Sequence, residues 1–586
     1  MLGVKRSLVV AVILSLALVV SGCQMEEPKT RKVLPEWSRG RSVGVAAVSQ
    51  PVAMQVKDGN VHMVWVAAGG KSLYYARLDA SGRTTVGADL EIDGAHPGYA
   101  RLAIDRDGGV RVLWTDNPGI PRALFLVRLG TDGRLLSQPR QLTPVGVRVA
   151  GYDLAGSVND SLDIFWATES PTDGGLYHLR LSKGDEVTSD SRLVVSGGEK
   201  PTLQPAPDGL IHLAWVQRPT LQENNIYYAV FDPLTGDLGL STHVGLYRTA
   251  TGLVSYPPAL GLDRRAVYIL WASEQRGGGL SPGEAQSFYV SFPLDGPRLN
   301  EPITVDIPGT DGPEYGVASG SLPYEQLASV TAGWPTSFLY MPMALAGQRE
   351  ELGVFLAGEV ATRNRADKEV VWLILADGQI KGYQLITKAR NAMRPTGVVD
   401  EDGNVHLAWL NTAGFGRYEV YYAATSDAVK ANLDGVTLQD RAMDLLAALW
   451  VLVPALGFFP PIFLLWGFAS FVWVVGFYVI KVEGGLDRRS ARIALVIAVL
   501  LYLFSKLFLM PGVLFTYAPF LDRLPEQLHI VSVLGTPLFT FLVGVGGVLL
   551  YFRRTDYRSL FVVYAIFVLT DSLLSLVIYM PAWIGG

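Results

Sequence analysis

Five polar or aromatic side chains recur at one point of a repeated sequence phrase, directly before a proline or its equivalent at the start of a strand. They are Gln50, Tyr99, Lys200, Tyr256 and Arg394. Two cations, two aromatic rings and an amide suit an anionic ligand or a sugar, through charge-assisted hydrogen bonds and stacking. Whether they form one ligand-binding site depends on a fold that brings successive repeats together. The alternative is that they are the ordinary polar lining of a channel.

The repeat that contains these residues has a period near 50. Clear copies start at Asp58, Asp208 and Asp402, each with an Asp-Gly turn, an apolar strand ending in tryptophan, and a tyrosine-rich strand. Successive tryptophans are separated by 49, 52, 49 and 56 residues and are Trp65, Trp114, Trp166, Trp215 and Trp271. Such a period, with about four short strands per unit, is typical of a β-propeller.

We therefore predict an all-β propeller over residues 41–427. The last unit has only three strands, and the strand-like segment 41–49 has no partner of its own. Propellers commonly close by lending an N-terminal strand to the last blade, which removes the exposed sheet edges. This arrangement predicts seven blades. Six blades remain the alternative, because the sixth unit lacks the tryptophan of its second strand.

The rotational pseudo-symmetry of a propeller relates equivalent positions of different blades. The five residues named first are therefore predicted to form a ring at one mouth of the channel, which we call the mouth ring. A long insertion between Pro308 and Pro335 interrupts the repeat. Such loops are usually functional or mobile, and a solvated surface excursion is the alternative.

The repeat phrase "DxDGNxHxxW…YYA" resembles the sialidase-like, or BNR/Asp-box-like, propeller superfamily over residues 41–427. The resemblance implies the propeller fold and, for an enzyme, glycoside hydrolase or lyase activity. The sequence departs from a true Asp-box, since Ala214 and Ala408 precede the tryptophans. The three arginines, the Tyr–Glu pair and the acid/base Asp of sialidases cannot be assembled from this sequence, so no catalytic residue is predicted.

Three histidines could be mistaken for metal ligands. His62, His212 and His406 each stand three residues before a tryptophan, but in separate repeats. We interpret them as structural histidines bonded to a neighbouring turn. The segment 400–404, "DEDGN", lacks the glutamate that an EF-hand loop needs at its twelfth position. Neither a metal site nor a cofactor is predicted.

The N-terminus resembles a bacterial lipoprotein signal peptide. Residues 1–22 contain a basic start, an apolar run and small residues leading to Cys23, the one cysteine of the chain. We predict cleavage before Cys23 and lipidation of its side chain, with residues 23–40 as a tether. A plain signal peptide or an uncleaved anchor is the alternative.

The composition changes abruptly near residue 443, after a predicted linker at 428–442. Residues 443–586 are predicted to form a membrane domain whose four helices lie at about 461–480, 491–510, 528–552 and 559–580. Arginines cluster after the first and third helices, which places these loops in the cytoplasm and the propeller outside. Residues 443–459 would then lie at the outer interface or re-enter the membrane.

Two ionisable residues fall inside the predicted helices. Lys506 and Asp571 are at similar depths in helices that both run outward. Buried charges in a membrane are costly and usually paired. We predict a structural ion pair, with a proton or ion path as the alternative.

The sequence limits the possible functions less tightly than it limits the possible folds. A net charge of -5 and the lack of a basic block exclude a nucleic-acid surface. We favour a non-enzymatic binding or accessory subunit for a protein or glycan partner, on the extracytoplasmic side of a bacterial cytoplasmic membrane. The alternatives are a sialidase-like glycoside hydrolase or lyase, which a carboxylate pair beside the mouth ring would favour, and a transport or export component.

Overall fold

The computed structural model describes residues 34–585, apart from several short stretches and three longer ones at 306–321, 324–337 and 510–527. The chain forms two compact units, one within residues 31–435 and one within residues 436–586. Cys23 lies outside the described residues, as does the insertion at 308–335 except for a two-residue strand.

The first unit is an antiparallel β-propeller of seven sheets, so the prediction of seven blades is confirmed and the six-bladed alternative is wrong. Blade 1 contains β2 (Ala53–Lys57), β3 (Asn60–Val66), β4 (Leu73–Leu78) and β5 (Thr84–Leu90), and blade 2 contains β6 (Pro97–Ile104), β7 (Val110–Asp116), β8 (Leu124–Leu129) and β9 (Arg140–Gln141). Blade 3 contains β10 (Val149–Gly156), β11 (Leu162–Thr168), β12 (Gly175–Leu181) and β13 (Val187–Ser196). Blade 4 contains β14 (Gly198–Pro205), β15 (Ile211–Gln217), β16 (Glu223–Asp232), β17 (Asp237–Leu238) and β18 (Thr242–Arg248).

In blades 5 to 7 the chain again runs from the inner to the outer strand, with two exceptions. The two-residue strand Leu322–Pro323 comes first in blade 6 but pairs with its outer strand, and the outer strand of blade 7 is supplied by the N-terminus. Blade 5 contains β19 (Leu253–Ser255), β20 (Ala259–Leu262), β21 (Ala266–Gln275), β22 (Glu284–Pro293) and β23 (Ile303–Val305). Blade 6 contains β24 (Leu322–Pro323), β25 (Phe338–Ala344), β26 (Leu352–Thr362), β27 (Arg365–Ala376) and β28 (Gln379–Leu385). Blade 7 contains β29 (Ala392–Val399), β30 (Val405–Thr412), β31 (Tyr418–Ala424) and β1 (Arg41–Ala46).

The N-terminal strand closes the ring of blades, as predicted. β1 pairs antiparallel with β31, from Arg41 opposite Tyr422 to Ala46 opposite Tyr418. The indole of Trp65 in blade 1 donates a hydrogen bond of 3.1 Å to the carbonyl of Val45. The first blade therefore packs directly on the strand that completes the last blade, and β1 covers the edge of β31.

The repeated tryptophan fills the space between blades. Its strand is buried on both faces, as in β11, where every residue is buried. The ring of Trp166 stacks on Tyr177 of the next strand, with centroids 4.6 Å apart. At the closing seam a Cβ added to Gly44 would lie 2.4 Å from Trp65. Glycine is thus required where the outer strand of one blade meets the tryptophan of the next.

Both ends of the propeller segment are fixed to blade 7. Leu34 and Trp37 are buried against blades 6 and 7, so the described part of the predicted tether packs on the propeller. The short helix α1 (Asp427–Leu433) occupies part of the predicted linker. The backbone N–H of Arg39 donates a 2.8 Å hydrogen bond to the Asp434 carboxylate, which holds the two ends together.

Among its described residues, the second unit contains four helices that are long and apolar enough to cross a membrane, in agreement with the predicted number. They are α2 (Leu438–Lys481), α3 (Arg489–Leu509), α4 (His529–Arg554) and α5 (Leu560–Gly585). The segment 443–459 is part of α2, which is continuous over 44 residues despite three prolines. It therefore does not form a separate re-entrant hairpin.

Candidate functional site

The residues of the mouth ring lie at a recurring irregularity of the inner strands. The backbone φ is +50° at Tyr99, and +53° at both Lys200 and Arg394. At each of these positions the pairing with the next strand shifts by one residue. Such a bulge re-aims a side chain. A residue other than glycine in this conformation costs about 1–3 kcal/mol and is most often found at functional sites.

The local sequence explains why the bulge forms there. Pro201 and Pro395 follow the bulged residue in blades 4 and 7. A proline has no N–H to donate to the sheet ladder, so it fits where pairing is already interrupted. The same strands keep regular pairing beyond the bulge.

The sequence analysis missed the equivalent residue of blade 6. Met341 has a φ of +56°, and the pairing shifts between Tyr340 and Met343. The residue-proline signal was present as Met341-Pro342, but the missing tryptophan of this unit concealed its alignment. The ring position of blade 6 is therefore apolar.

Two pairs of mouth-ring residues are in direct contact. The guanidinium carbon of Arg394 lies 5.3 Å from the centre of the Tyr256 ring, a distance at which a cation and an aromatic face attract. The Nε atom of Arg394 is buried and has no hydrogen-bond partner in the part of the chain that the structure describes. Tyr256 packs with Tyr340 and Met341, which fixes its ring.

The second pair joins neighbouring blades through the backbone. The N–H of Tyr99 donates a hydrogen bond of 2.6 Å to the side-chain oxygen of Gln50. The Tyr99 side chain is 46% exposed, the most open aromatic residue of the ring. Gln50 is thus engaged with the protein by its oxygen, while Tyr99 is available to a ligand.

Lys200 occupies the equivalent bulge of blade 4 and is half-buried. Burial, followed by the nearby positive charge of Arg218, lowers the pKa of the Lys200 ammonium from 10.5 to about 8. A lysine with this pKa is partly neutral near neutral pH, so its amine can accept a proton.

A further layer of side chains begins two or three residues beyond the mouth ring on each inner strand. We call it the inner layer; its members at equivalent register positions are Ala53, Arg101, Asp153, Thr202, Ala259, Met343 and Thr396. Asp153 accepts hydrogen bonds from Arg101 Nε at 3.4 Å and from the Leu203 N–H at 2.9 Å. Burial raises the pKa of Asp153. It is the single carboxylate of this layer, so the carboxylate pair that would favour hydrolysis is not found here.

The three repeated histidines pair with tyrosines of the adjacent strand. Nδ1 of His62 lies 2.8 Å from the Tyr75 hydroxyl, and His212 and His406 have equivalent tyrosine partners at 2.6 and 2.7 Å. Only His406 also reaches a turn, through Asp400 at 3.2 Å. The expected turn contact is therefore seen once, and the main partner is a tyrosine.

In the membrane unit the structure places the two ionisable residues together. Lys506 Nζ lies 2.7 Å from Asp571 Oδ2 and 2.6 Å from Ser575 Oγ. The Tyr502 hydroxyl donates to the same carboxylate oxygen at 2.6 Å. All four side chains are almost fully buried. The ammonium and Oδ2 of the carboxylate have hydrogen-bond partners on two helices, whereas the buried Oδ1 of Asp571 has none among the described residues.

A search by sequence finds no matching family model and no matching curated protein. Solved structures of similar fold include the polysaccharide lyase Uly1, 13% identical, with a TM-score of 0.43 over 65% of this chain and 90% of that one. A PL25 ulvan lyase is 12% identical, with a TM-score of 0.45 over 65% and 94%. The GH93 α-L-arabinofuranosidase of Fusarium graminearum is 12% identical, with a TM-score of 0.34 over 56% and 92%. The similarity is one of propeller fold.

These comparisons correct one prediction. The sequence analysis favoured a non-enzymatic binding or accessory subunit over a glycan-cleaving enzyme. The similar structures named above are two polysaccharide lyases and a glycoside hydrolase, which contradicts the favoured interpretation and favours its enzymatic alternative as the function to propose. The sequence misled because the catalytic set of sialidases is missing, which excludes only one kind of glycan chemistry.

Proposed function

We propose that the propeller binds an acidic glycan at the mouth ring and cleaves it by β-elimination. The observation that supports this most directly is that a lysine of lowered pKa and an arginine held on a tyrosine ring occupy equivalent bulges of one ring. A cation and a proton acceptor at one mouth match the requirements of elimination next to a carboxylate.

The chemistry of the reaction assigns a role to each group. A base removes the proton on the carbon next to the carboxylate of a uronic acid, the bond to the glycosidic oxygen breaks, and a carbon–carbon double bond forms. The leaving oxygen takes up a proton. Arg394 would neutralise the substrate carboxylate, which stabilises the negative charge that develops in the transition state. Lys200 would be the base, since an amine with a pKa of about 8 is partly neutral near neutral pH and can accept the proton.

Hydrolysis requires a different set of groups. Glycoside hydrolases canonically use two carboxyl groups about 5–5.5 Å or 6.5–9.5 Å apart. Asp153, the carboxylate of the inner layer, is held by Arg101 and by the Leu203 N–H. Elimination is therefore the better match to this site than hydrolysis.

The proposal also covers the superfamily of the propeller, its anchorage in a membrane and the side of the membrane on which it lies. The repeat phrase and the seven blades support membership of the sialidase-like superfamily. The four apolar helices support anchorage in a membrane. The sequence around Cys23 supports a lipid anchor in a bacterial cytoplasmic membrane, and the arginine-rich loops support a propeller on the extracytoplasmic side. Cysteine-accessibility labelling of intact cells near Arg488 tests this topology, since labelling from outside would contradict it.

The test of the activity uses the full-length chain in detergent micelles with a panel of uronate-containing polysaccharides. Elimination creates a double bond conjugated to the carboxylate, which absorbs ultraviolet light, together with new reducing ends. We expect this absorbance with the wild-type chain and its loss in Lys200→Met and Arg394→Met. Arg83→Ala, an exposed surface change, is the matched control and should leave the rate unchanged. New reducing ends without absorbance would show hydrolysis and overturn the proposal, as would a chain that leaves every substrate intact.

A further inference from the structure

The backbone of Tyr99 is held from both neighbouring blades. From blade 1, Gln50 Oε1 accepts the hydrogen bond of the Tyr99 N–H at 2.6 Å. From blade 3, the hydroxyl of Tyr152 lies 2.6 Å from the Tyr99 carbonyl oxygen, to which it donates, and 2.9 Å from the carbonyl of Leu113. Both polar backbone groups of one residue are therefore fixed by side chains from other blades.

The hydrogen bonds hold the Tyr99 backbone in a conformation that residues other than glycine disfavour. Tyr99 has a φ of +50°, a conformation that side chains other than glycine adopt only when the surroundings enforce it. The residue is nevertheless 46% exposed, so packing holds its ring only in part. The two hydrogen bonds fix the backbone from which the side chain projects.

The position of Tyr152 in blade 3 also indicates that the Tyr99 backbone is held from a neighbouring blade. The residue that pairs with Trp166 in this blade is Tyr152, at the register where blades 4 and 7 have Pro201 and Pro395. Tyr152 is buried, and its hydroxyl reaches across to blade 2. Blade 3 thus contributes a bond to its neighbour at this level, where other blades have a proline.

We propose that Gln50 and Tyr152 are positioning residues that hold Tyr99 across the channel mouth as a stacking platform for a sugar ring of the glycan. This inference rests on the proposed function, and it changes the role of Gln50 from a ligand contact to a support. The face of an aromatic ring held at a fixed angle recognises a pyranose ring by stacking, while Arg394, two blades away in the closed ring, takes the carboxylate. The platform therefore contributes to substrate binding more than to the chemical step.

The first experiment separates KM from kcat in the full-length chain. Tyr152→Phe and Gln50→Leu remove one hydrogen bond each, and each should raise KM about fivefold to tenfold while kcat changes less than twofold. Gln50→Glu keeps an acceptor oxygen and should restore a KM close to wild type. Tyr75→Phe is the matched control: it removes a buried tyrosine hydroxyl that bonds His62, and it should lower the melting temperature without changing KM.

A double-mutant comparison shows whether the two residues act through Tyr99. In a Tyr99→Gly background, which removes the platform, Tyr152→Phe and Gln50→Leu should cause no further rise in KM. Unchanged KM in the single variants, or effects that add fully in the Tyr99→Gly background, would overturn the inference.

A second measurement keeps the inference testable without turnover. A fluorinated tyrosine incorporated at position 99 should give one sharp ¹⁹F NMR signal in the wild-type chain and a broadened or doubled signal in Tyr152→Phe. If no glycan is cleaved but the signal changes as expected, the proposed function fails and the positioning role stands. If glycan is cleaved but the signal and KM are unaffected, the positioning role fails and the proposed function stands.

Discussion

The two ends of each blade differ in how much their residues vary from one blade to the next. Away from the mouth, the repeated histidines are buried and bonded to tyrosines of the adjacent strand in three blades. At the mouth, the five predicted positions hold four residue types, and several of these residues have a strained backbone conformation. The mouth positions therefore vary between blades, as expected if the stability of the repeat depends on the first end and the proposed glycan recognition on the second.

The electrostatics of the two ends differ accordingly. Burial lowers the pKa of His62 to about 4, and a tyrosine hydroxyl satisfies its ring nitrogen. Burial also lowers the pKa of Lys200, to about 8, which brings a normally charged group into its titration range near neutral pH. The same physical cause therefore keeps His62 neutral in the core and lowers the pKa of Lys200 toward the range that the proposed proton transfer requires.

The largest expected effect is on activity and comes from the mouth. Arg394→Met should lower kcat/KM by about tenfold to a hundredfold, since losing a charge-assisted contact costs about 1.5–3 kcal/mol. The melting temperature should change little, because the bulge does not depend on the charge. Steady-state kinetics and a thermal melt of the same preparation check both parts, with Arg83→Ala as control. A large drop in melting temperature would place Arg394 in the fold and not in the site.

The free energy of unfolding should depend on pH through His62, which lies at the end of its blade away from the mouth. The folded-state pKa of His62 is lowered to about 4 from 6.5, so the unfolded chain binds a proton more readily. Stability is then fully present above pH 6.5 and is lost as the pH falls toward 4. The loss from His62 reaches about 3 kcal/mol. His62→Gln should have a smaller acid loss than the wild-type chain in denaturant unfolding at several pH values; equal losses would refute this assignment.

A smaller effect is expected at the seam where β1 closes the ring. A Cβ at Gly44 would lie 2.4 Å from Trp65, and one at Gly245 would lie 2.8 Å from Trp271 in the seam between blades 4 and 5. Gly44→Ala should lower the free energy of unfolding by about 1–3 kcal/mol through overpacking, and Gly245→Ala by a similar amount. Gly69→Ala, which meets nothing within 4 Å, is the control. Loss at Gly245 alone would argue against closure by β1.

The smallest predicted effect has the opposite sign. Tyr99→Gly places the residue that prefers φ above zero at a φ of +50°, so it should raise stability by up to about 1 kcal/mol. The same change should weaken glycan binding. A thermal melt compared with KM shows whether strain at the mouth is maintained for function. A fall in stability would mean that Tyr99 packs more than it recognises.

The sequence predicts the propeller well because the period, the tryptophans and the turn residues are all local signals. The β1–β31 seam was also predictable, since an unpartnered strand and a three-stranded last blade require each other. The role of Gln50 could not be predicted, because its hydrogen bond to Tyr99 depends on two blades meeting at one angle. Tyr152 has no sequence signal of its own, and its function is visible only from the carbonyl that it reaches in the next blade.

The central claim is that Lys200 acts as the base of an elimination reaction. The most direct measurement is the initial rate of double-bond formation by the full-length chain from neutral to alkaline pH, compared with that of Lys200→Arg. The wild-type rate should rise with pH through a pKa of about 8, because only the neutral amine accepts the proton. The arginine variant keeps the charge but cannot lose its proton, so its rate should be low at every pH in this range. A variant with the wild-type rate and profile would contradict the account.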